Sequence, residues 1–364
     1  MIGGYKFALH VSCASCIIGH ILYSLAYSVG YLYLILIGRI VNGFAFAMLM
    51  YCKRYCSDPR IVGIQRRTTL AAFLIMGQGL GMTASPFFGG LLYKVGFKNP
   101  IFNGYTSPGW IMACIWCIFW ICVIVWYEDV PRDQGFLPSL PPDSKSMESH
   151  LQSSEKVINL SSPEPFSLTA RRVAVIVCMC WLAMTYFFIL GAWESNIPVF
   201  GSYAKQLHWS PFAAGNFIAL GGAAAFPFLV LNIYLARRIE DRRMLAFGTS
   251  LGLIGLFIFL ALLETDNVNY GSIFVCWWAV VLGFNSAFTV PVSLLSKQFP
   301  PSWNNKTSIM VQCSTFVGRV AGAIFGGSGV RIGMRTYVGT EIALVGIGTL
   351  LYIGLWRELK ATRG

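Results

Sequence analysis

Ten stretches of about 20 mostly apolar residues follow one another along this chain, near 5–27, 31–51, 68–92, 109–127, 172–192, 212–235, 244–263, 271–295, 307–329 and 337–356. A run of that length crosses the hydrocarbon core of a bilayer as one helix. The fold class that follows is an all-α polytopic membrane protein. Composition closes off the soluble alternative. Only 12% of the 364 residues are charged and 56% are hydrophobic, whereas a soluble domain carries about 25% charged residues. The first run is too long for a cleaved signal peptide, and no small-residue cleavage site ends it.

Loop charges orient the runs. The chain has 27 Lys and Arg against 15 Asp and Glu, an excess that in a soluble protein would suggest nucleic acid. Here the cations sit in short loops beside apolar runs, as in membrane proteins, so no nucleic-acid partner is expected. With the 52–67 loop (CKRYCSDPRIVGIQRR) in the cytosol, the cytosolic side collects 19 basic residues and the opposite side five. Both termini then face the cytosol.

Residues 128–171 interrupt the pattern with a Pro-, Ser- and charge-rich segment. It cannot bury enough apolar surface to fold alone. The chain therefore divides into an incomplete N-terminal bundle of four helices at 1–127, a flexible cytosolic linker at 128–171 and a six-helix bundle at 172–364.

Polar residues inside apolar runs carry the chemistry. Arg39 lies eight residues into the second run and Arg319 well inside the ninth. An arginine at a helix centre costs about 2.5–3.5 kcal/mol on insertion scales and usually faces a wet cavity or bundle interior. Its planar, permanently charged fork suits a phosphate or carboxylate. Each arginine has a structural alternative: Arg39 could pair with a carboxylate or a backbone carbonyl, and Arg319 with Glu194 or Glu341. Glu194 precedes Pro198 at what reads as the end of the fifth run, and proline there breaks a helix and frees carbonyls. Both Glu194 and Glu341 are candidates to carry a coupling proton. Asn42, Asn285 and Gln312 either line a cavity or bond between helices.

Glycine spacing suggests close helix packing. Gly77 and Gly81 stand one turn apart in GQGLG, as do Gly318 and Gly322 in GRVAG, and small-xxx-small faces let helices approach and slide. The Cys13/Cys16 and Cys114/Cys117 pairs lie in apolar runs without other polar ligands and read as small buried hydrophobes. The phosphate loop GxxxxGK[ST] is absent, as are HExxH and GxSxG. The four histidines have no metal spacing. No enzyme activity, metal or cofactor is expected.

Several motifs resemble the major facilitator superfamily of twelve-helix carriers. GRIVNG (38–43) is similar to its fourth-helix motif. GQGLGMTASPFFGGLL (77–92) resembles its fifth-helix motif, with Pro86, Gly89 and Gly90 matching and Ser85 in place of a glycine. RRIEDRR (237–243) is similar to the short basic loop between helices 8 and 9. The run from Gly38 through Pro86, with STFVGRVAGA (314–323), most resembles the branch of SPX-type vacuolar phosphate transporters and lysosomal carriers, without the SPX domain.

The resemblance implies two pseudo-symmetric halves, an alternating-access carrier and a vacuolar or similar endomembrane. It makes the first run here the equivalent of helix 3, so helices 1 and 2 would precede it, as in a fragment of a longer chain. It also places Gln78 and Arg319 at matching positions of the two halves, facing one cavity. The expected cargo is a small anion, inorganic phosphate first, held by Arg39, Arg319 and Gln78. The alternatives are a sugar, amino acid or drug as cargo, or an anion channel or non-transporting scaffold.

Overall fold

A computed structural model describes residues 5–52, 64–128, 168–204, 206–235 and 239–360. The expected linker falls almost wholly outside these residues. Ten helices run through the described chain: α1 (Tyr5–Val29), α2 (Tyr33–Cys52), α3 (Ile64–Val95), α4 (Ser107–Trp126), α5 (Ala170–Tyr203), α6 (Pro211–Leu235), α7 (Asp241–Glu264), α8 (Tyr270–Gln298), α9 (Pro301–Ile332) and α10 (Met334–Gly354). Eight of them, all but α2 and α3, are long and apolar enough over their described residues to cross a membrane. Helices satisfy their own backbone bonds, which is the condition for residing in lipid.

Small residues set the packing in both halves. In the first, a side chain at Gly38 of α2 would strike the carbonyl of Gly19 on α1, so these helices touch backbone to backbone. α4 closes on α1 through Ser24, whose hydroxyl donates to the Thr106 carbonyl at 3.3 Å, and through Trp120, whose indole donates to His10 Nδ1 at 2.8 Å. In the second half α5 is the central helix, with 17 buried residues. Gly318, Gly322 and Gly326 of α9 lie against the carbonyls of Met184, Phe188 and Ala192. These positions recur every four residues on both helices, so α5 and α9 run parallel along a continuous glycine seam.

α5 differs from the sequence expectation at Pro198. The helix does not break there but continues to Tyr203. Proline removes a single amide donor, and in a packed bundle neighbouring elements make up that loss. Glu194 consequently lies nine residues inside the helix end rather than at it.

The ends of α7 and α10 are tied together by the basic loop. Glu240 accepts from Arg242 at 2.8 Å, and this bond holds its carboxyl below the usual range. The Arg242 guanidinium lies over the Trp356 ring at 5.0 Å, and Tyr352 Oη donates to the Arg242 carbonyl at 2.6 Å. Arg242→Ala should cost about 1 kcal/mol, the cation–π share, while the carbonyl bond survives. Thermal unfolding in detergent would register this as a small drop in midpoint, whereas the exposed Arg243→Ala should leave the midpoint in place.

The halves meet along α3 and α6. A side chain at Gly222 would meet Thr83 Oγ1, one at Gly215 the Pro86 carbonyl, and one at Gly90 the Phe212 backbone. Rising numbers on α3 face falling numbers on α6, so the two are antiparallel. A second contact between halves joins Phe46 of α2 to Phe316 of α9, edge to face at 5.2 Å.

Candidate functional site

Beside the α3–α6 seam is a cavity of about 60 Å³, lined by Gly79 and Thr83 of α3, Glu194 of α5, Phe226 of α6, and Trp277 and Asn285 of α8, among others. It has room for a few waters. Both halves of the molecule contribute walls, and its polar wall is Glu194, Thr83 and Asn285. Asn285 lies there because α8 turns that face inward, and its Nδ2 is spent on the Val281 carbonyl at 2.8 Å. Its Oδ1 is the part left for a ligand.

Arg319 is ion-paired. Its Nη2 lies 2.6 Å from Glu194 Oε2, with the two side chains 36% and 29% exposed. Of the alternatives open in the sequence, pairing with Glu194 is what the structure contains. The glycine seam explains it: α9 sits so close to α5 that Gly191 packs on the Arg319 backbone, which brings a side chain from 319 onto the next turn of α5. The guanidinium also lies over the Phe187 ring at 5.9 Å. Its Nη1 is buried and has no hydrogen-bond partner among the described residues, so one arm of the fork is unused.

Arg39 stands differently. It is exposed, with its guanidinium 5.2 Å from the Tyr23 ring centroid. Asp58 is the sole acid before Glu128 in the sequence, so no carboxylate is available within a span of the first half. That absence of acids was legible in the sequence and separates the two arginines. Arg39 and Phe46 are seven residues apart and share a face of α2. α2 is antiparallel to α1, and alternating spans make it antiparallel to α9. Arg39, before Phe46, and Arg319, after Phe316, then lie on one side of the aromatic contact, about one helical turn apart in depth.

Glu341 does not line the cavity. It is 0% exposed and accepts from Trp193 Nε1 at 2.9 Å. Trp193 in turn stacks on Trp277 of the cavity wall at 5.8 Å, which puts Glu341 two rings behind the wall. Its Oε1 and the hydroxyl of Tyr337, one turn earlier on α10, are buried beside each other and have no other hydrogen-bond partner among the described residues. A charge at Glu341 would have no counter-ion among the described residues, a costly arrangement.

Other expected residues are placed elsewhere. Asn42 packs into the α1–α2 interface against Gly19, where its Oδ1 is buried and has no hydrogen-bond partner among the described residues. Gln312 bonds Ser308 within its own helix at 3.2 Å. Gly77, Gly81 and Gly89 have nothing within reach of a side chain among the described residues, so they are not the face of α3 that packs on them. That face is Gly79, Thr83, Pro86 and Gly90, offset by two residues from the GQGLG reading, and its i, i+4, i+7, i+11 spacing is the signal that reading passed over. The side chain of Gln78 lies outside the described residues, as does its pairing with Arg319.

The general family model for the Major Facilitator Superfamily matches residues 3–323 and, a second time, 182–363. The chain belongs to that superfamily. An uncharacterized MFS-type transporter of Schizosaccharomyces pombe is 34% identical over 98% of this chain and 68% of its own length. A second from the same yeast is 29% identical over 98% of this chain and 74% of its length. An SPX domain-containing membrane protein of Arabidopsis thaliana is 26% identical over 66% of this chain and 38% of its length. A D-xylose-proton symporter structure superposes with a TM-score of 0.74 at 14% identity, covering 99% of this chain and 82% of that one. A POT family transporter in complex with 5-aminolevulinic acid gives 0.71 at 12%, covering 100% and 83%. At such identities the structures establish the fold alone. Within this superfamily member, the ion pair and the cavity lie where the two halves face each other.

Proposed function

We propose that the protein is a secondary carrier of a small anion, inorganic phosphate first, working by rocking of its halves about the α3–α6 seam. The observation that supports this best is the unused arm of Arg319 beside a cavity shared by the halves. Arg39 adds, at nearby depth, a cation with no carboxylate partner among the described residues. When Glu194 takes up a proton its hold on Arg319 weakens, and an anion can take the place of the carboxylate. Glu341 is the second candidate for the coupling proton. The proposed setting is a vacuolar or similar endomembrane with both termini cytosolic.

Labelled phosphate uptake into proteoliposomes tests the reading. Wild-type protein should accumulate phosphate when the outside is acidified. Arg319→Ala should reduce uptake about 30-fold, the scale of a lost hydrogen bond to a charged group plus its Coulomb share. Full uptake by that variant would end the anion reading. A second reading has one observation in its favour: the Arg319–Glu194 pair is already neutral, which suits a sugar or amino acid. Equal uptake of a labelled neutral solute, untouched by unlabelled phosphate, would select it.

A further inference from the structure

The α3–α6 seam has a second concavity on its other flank. A groove of about 480 Å³ is lined by Thr83, Ala84, Phe87 and Phe88 of α3, by Asn216, Ala219, Leu220 and Ala223 of α6, and by Tyr270. On α6 the residues lining the central cavity (218, 222, 226) and those lining the groove (216, 219, 220, 223) fall on neighbouring faces whose centres are about 110° apart at 100° per residue. α5 lines the cavity and not the groove, so the groove opens on a flank of the seam that α5 does not cover. Phe87, Phe88, Leu220 and Tyr270 are 39%, 57%, 50% and 46% exposed. An exposed apolar flank on membrane-spanning helices is open to lipid.

Most of the groove is featureless to an acyl chain, but one atom is not. Asn216 Oδ1 is buried and accepts no hydrogen bond among the described residues. A buried acceptor without a donor marks a missing partner. The partner must be a donor and must come from the groove. No lining residue carries a charge, so nothing there recognises a phosphate or ammonium headgroup. Asn216 lies five residues from the start of α6, about 7.5 Å below the helix end, the depth of the membrane interface. Flat apolar walls with aromatic faces, one acceptor at interfacial depth and a volume within the range of small-molecule sites fit a rigid neutral lipid with one hydroxyl.

We infer that this groove binds a sterol, its hydroxyl donating to Asn216 Oδ1 and its ring system lying between Phe87, Phe88 and Leu220. Occupancy would place the sterol against the seam on which the halves turn. The inference is independent of the cargo.

Photolabelling tests it. The full chain is reconstituted in phosphatidylcholine vesicles with a trace of diazirine-bearing cholesterol, irradiated, and mapped by mass spectrometry. Label should concentrate in peptides covering 83–88 and 216–223, and tenfold unlabelled cholesterol should compete it away while added phosphatidylcholine should not. Ala223→Trp, at an exposed position that fills the groove, should lower labelling at least fivefold. Asn216→Leu should lower it about fivefold, the loss of one hydrogen bond. Ile118→Trp, on the exposed face of α4, should change nothing. Melting midpoints of all variants control for folding. Label spread evenly over the exposed helix faces, equal competition by phosphatidylcholine, or unaltered labelling of a folded Ala223→Trp protein would each overturn the inference.

Discussion

Gly326→Leu should lower the melting midpoint sharply, while Gly327→Leu, one residue on, should leave it in place. The two glycines are neighbours in sequence and opposite in environment. A side chain at 326 would overlap the Ala192 carbonyl of α5, whereas at 327 nothing is within reach. Backbone atoms cannot rotate aside as a side-chain tip can, so α9 would have to move off α5 along its length. Opening that seam also withdraws Gly318 and Gly322 from Met184 and Phe188. Overpacking of this kind costs about 3 kcal/mol, a large share of a stability of about 5–15 kcal/mol. Leucine is the better helix former by about 0.8 kcal/mol, so the 327 variant should be neutral or slightly more stable. Fluorescence-detected size-exclusion chromatography after heating separates the outcomes. Equal midpoints for the two variants would mean that α5 and α9 do not meet backbone to backbone.

The same seam shows what the sequence disclosed and what it withheld. Span positions were legible because a bilayer imposes length and apolarity on each helix directly, and apart from α5, which continues to Tyr203, the observed helices begin and end near those runs. GRVAG was legible as a packing face because its two glycines are one turn apart, with no other spacing competing. GQGLG offers three glycines in five residues, and spacing alone does not choose between 77/81 and 79. The choice is made by α6, whose Gly222, Gly215 and Phe226 meet Thr83, Pro86 and Gly79, and this is a tertiary fact. Pro198 misled for a related reason. Its local effect is to remove one donor, and whether a helix survives that depends on neighbours absent from the local sequence. Glu341 shows the limit for site residues: position in a span does not say whether a carboxyl faces water or lies behind two tryptophans.

The pairing of Arg319 with Glu194 is a claim about coupled energies, and a double-mutant cycle reads it. Glu194→Gln leaves a guanidinium at a half-buried site with its carboxylate partner gone. Arg319→Gln leaves the converse, a carboxylate on the wall of a small cavity. Breaking a fully buried pair from one side costs about 3–5 kcal/mol. Here the side chains are 36% and 29% exposed, so solvent screening lowers that to about 1–3 kcal/mol for each single variant. The double variant Glu194→Gln/Arg319→Gln removes both charges and keeps two amides of similar shape able to bond each other. It should recover most of the loss, giving a coupling energy of about 2–3 kcal/mol between contacting partners. Melting midpoints of the four proteins in one detergent supply the cycle. Additive losses would show that the two charges are held independently, and the exchange of Glu194 for an incoming anion would then have no energetic basis. Recovery of stability with loss of phosphate uptake would show instead that the pair is dispensable for the fold and retained for transport.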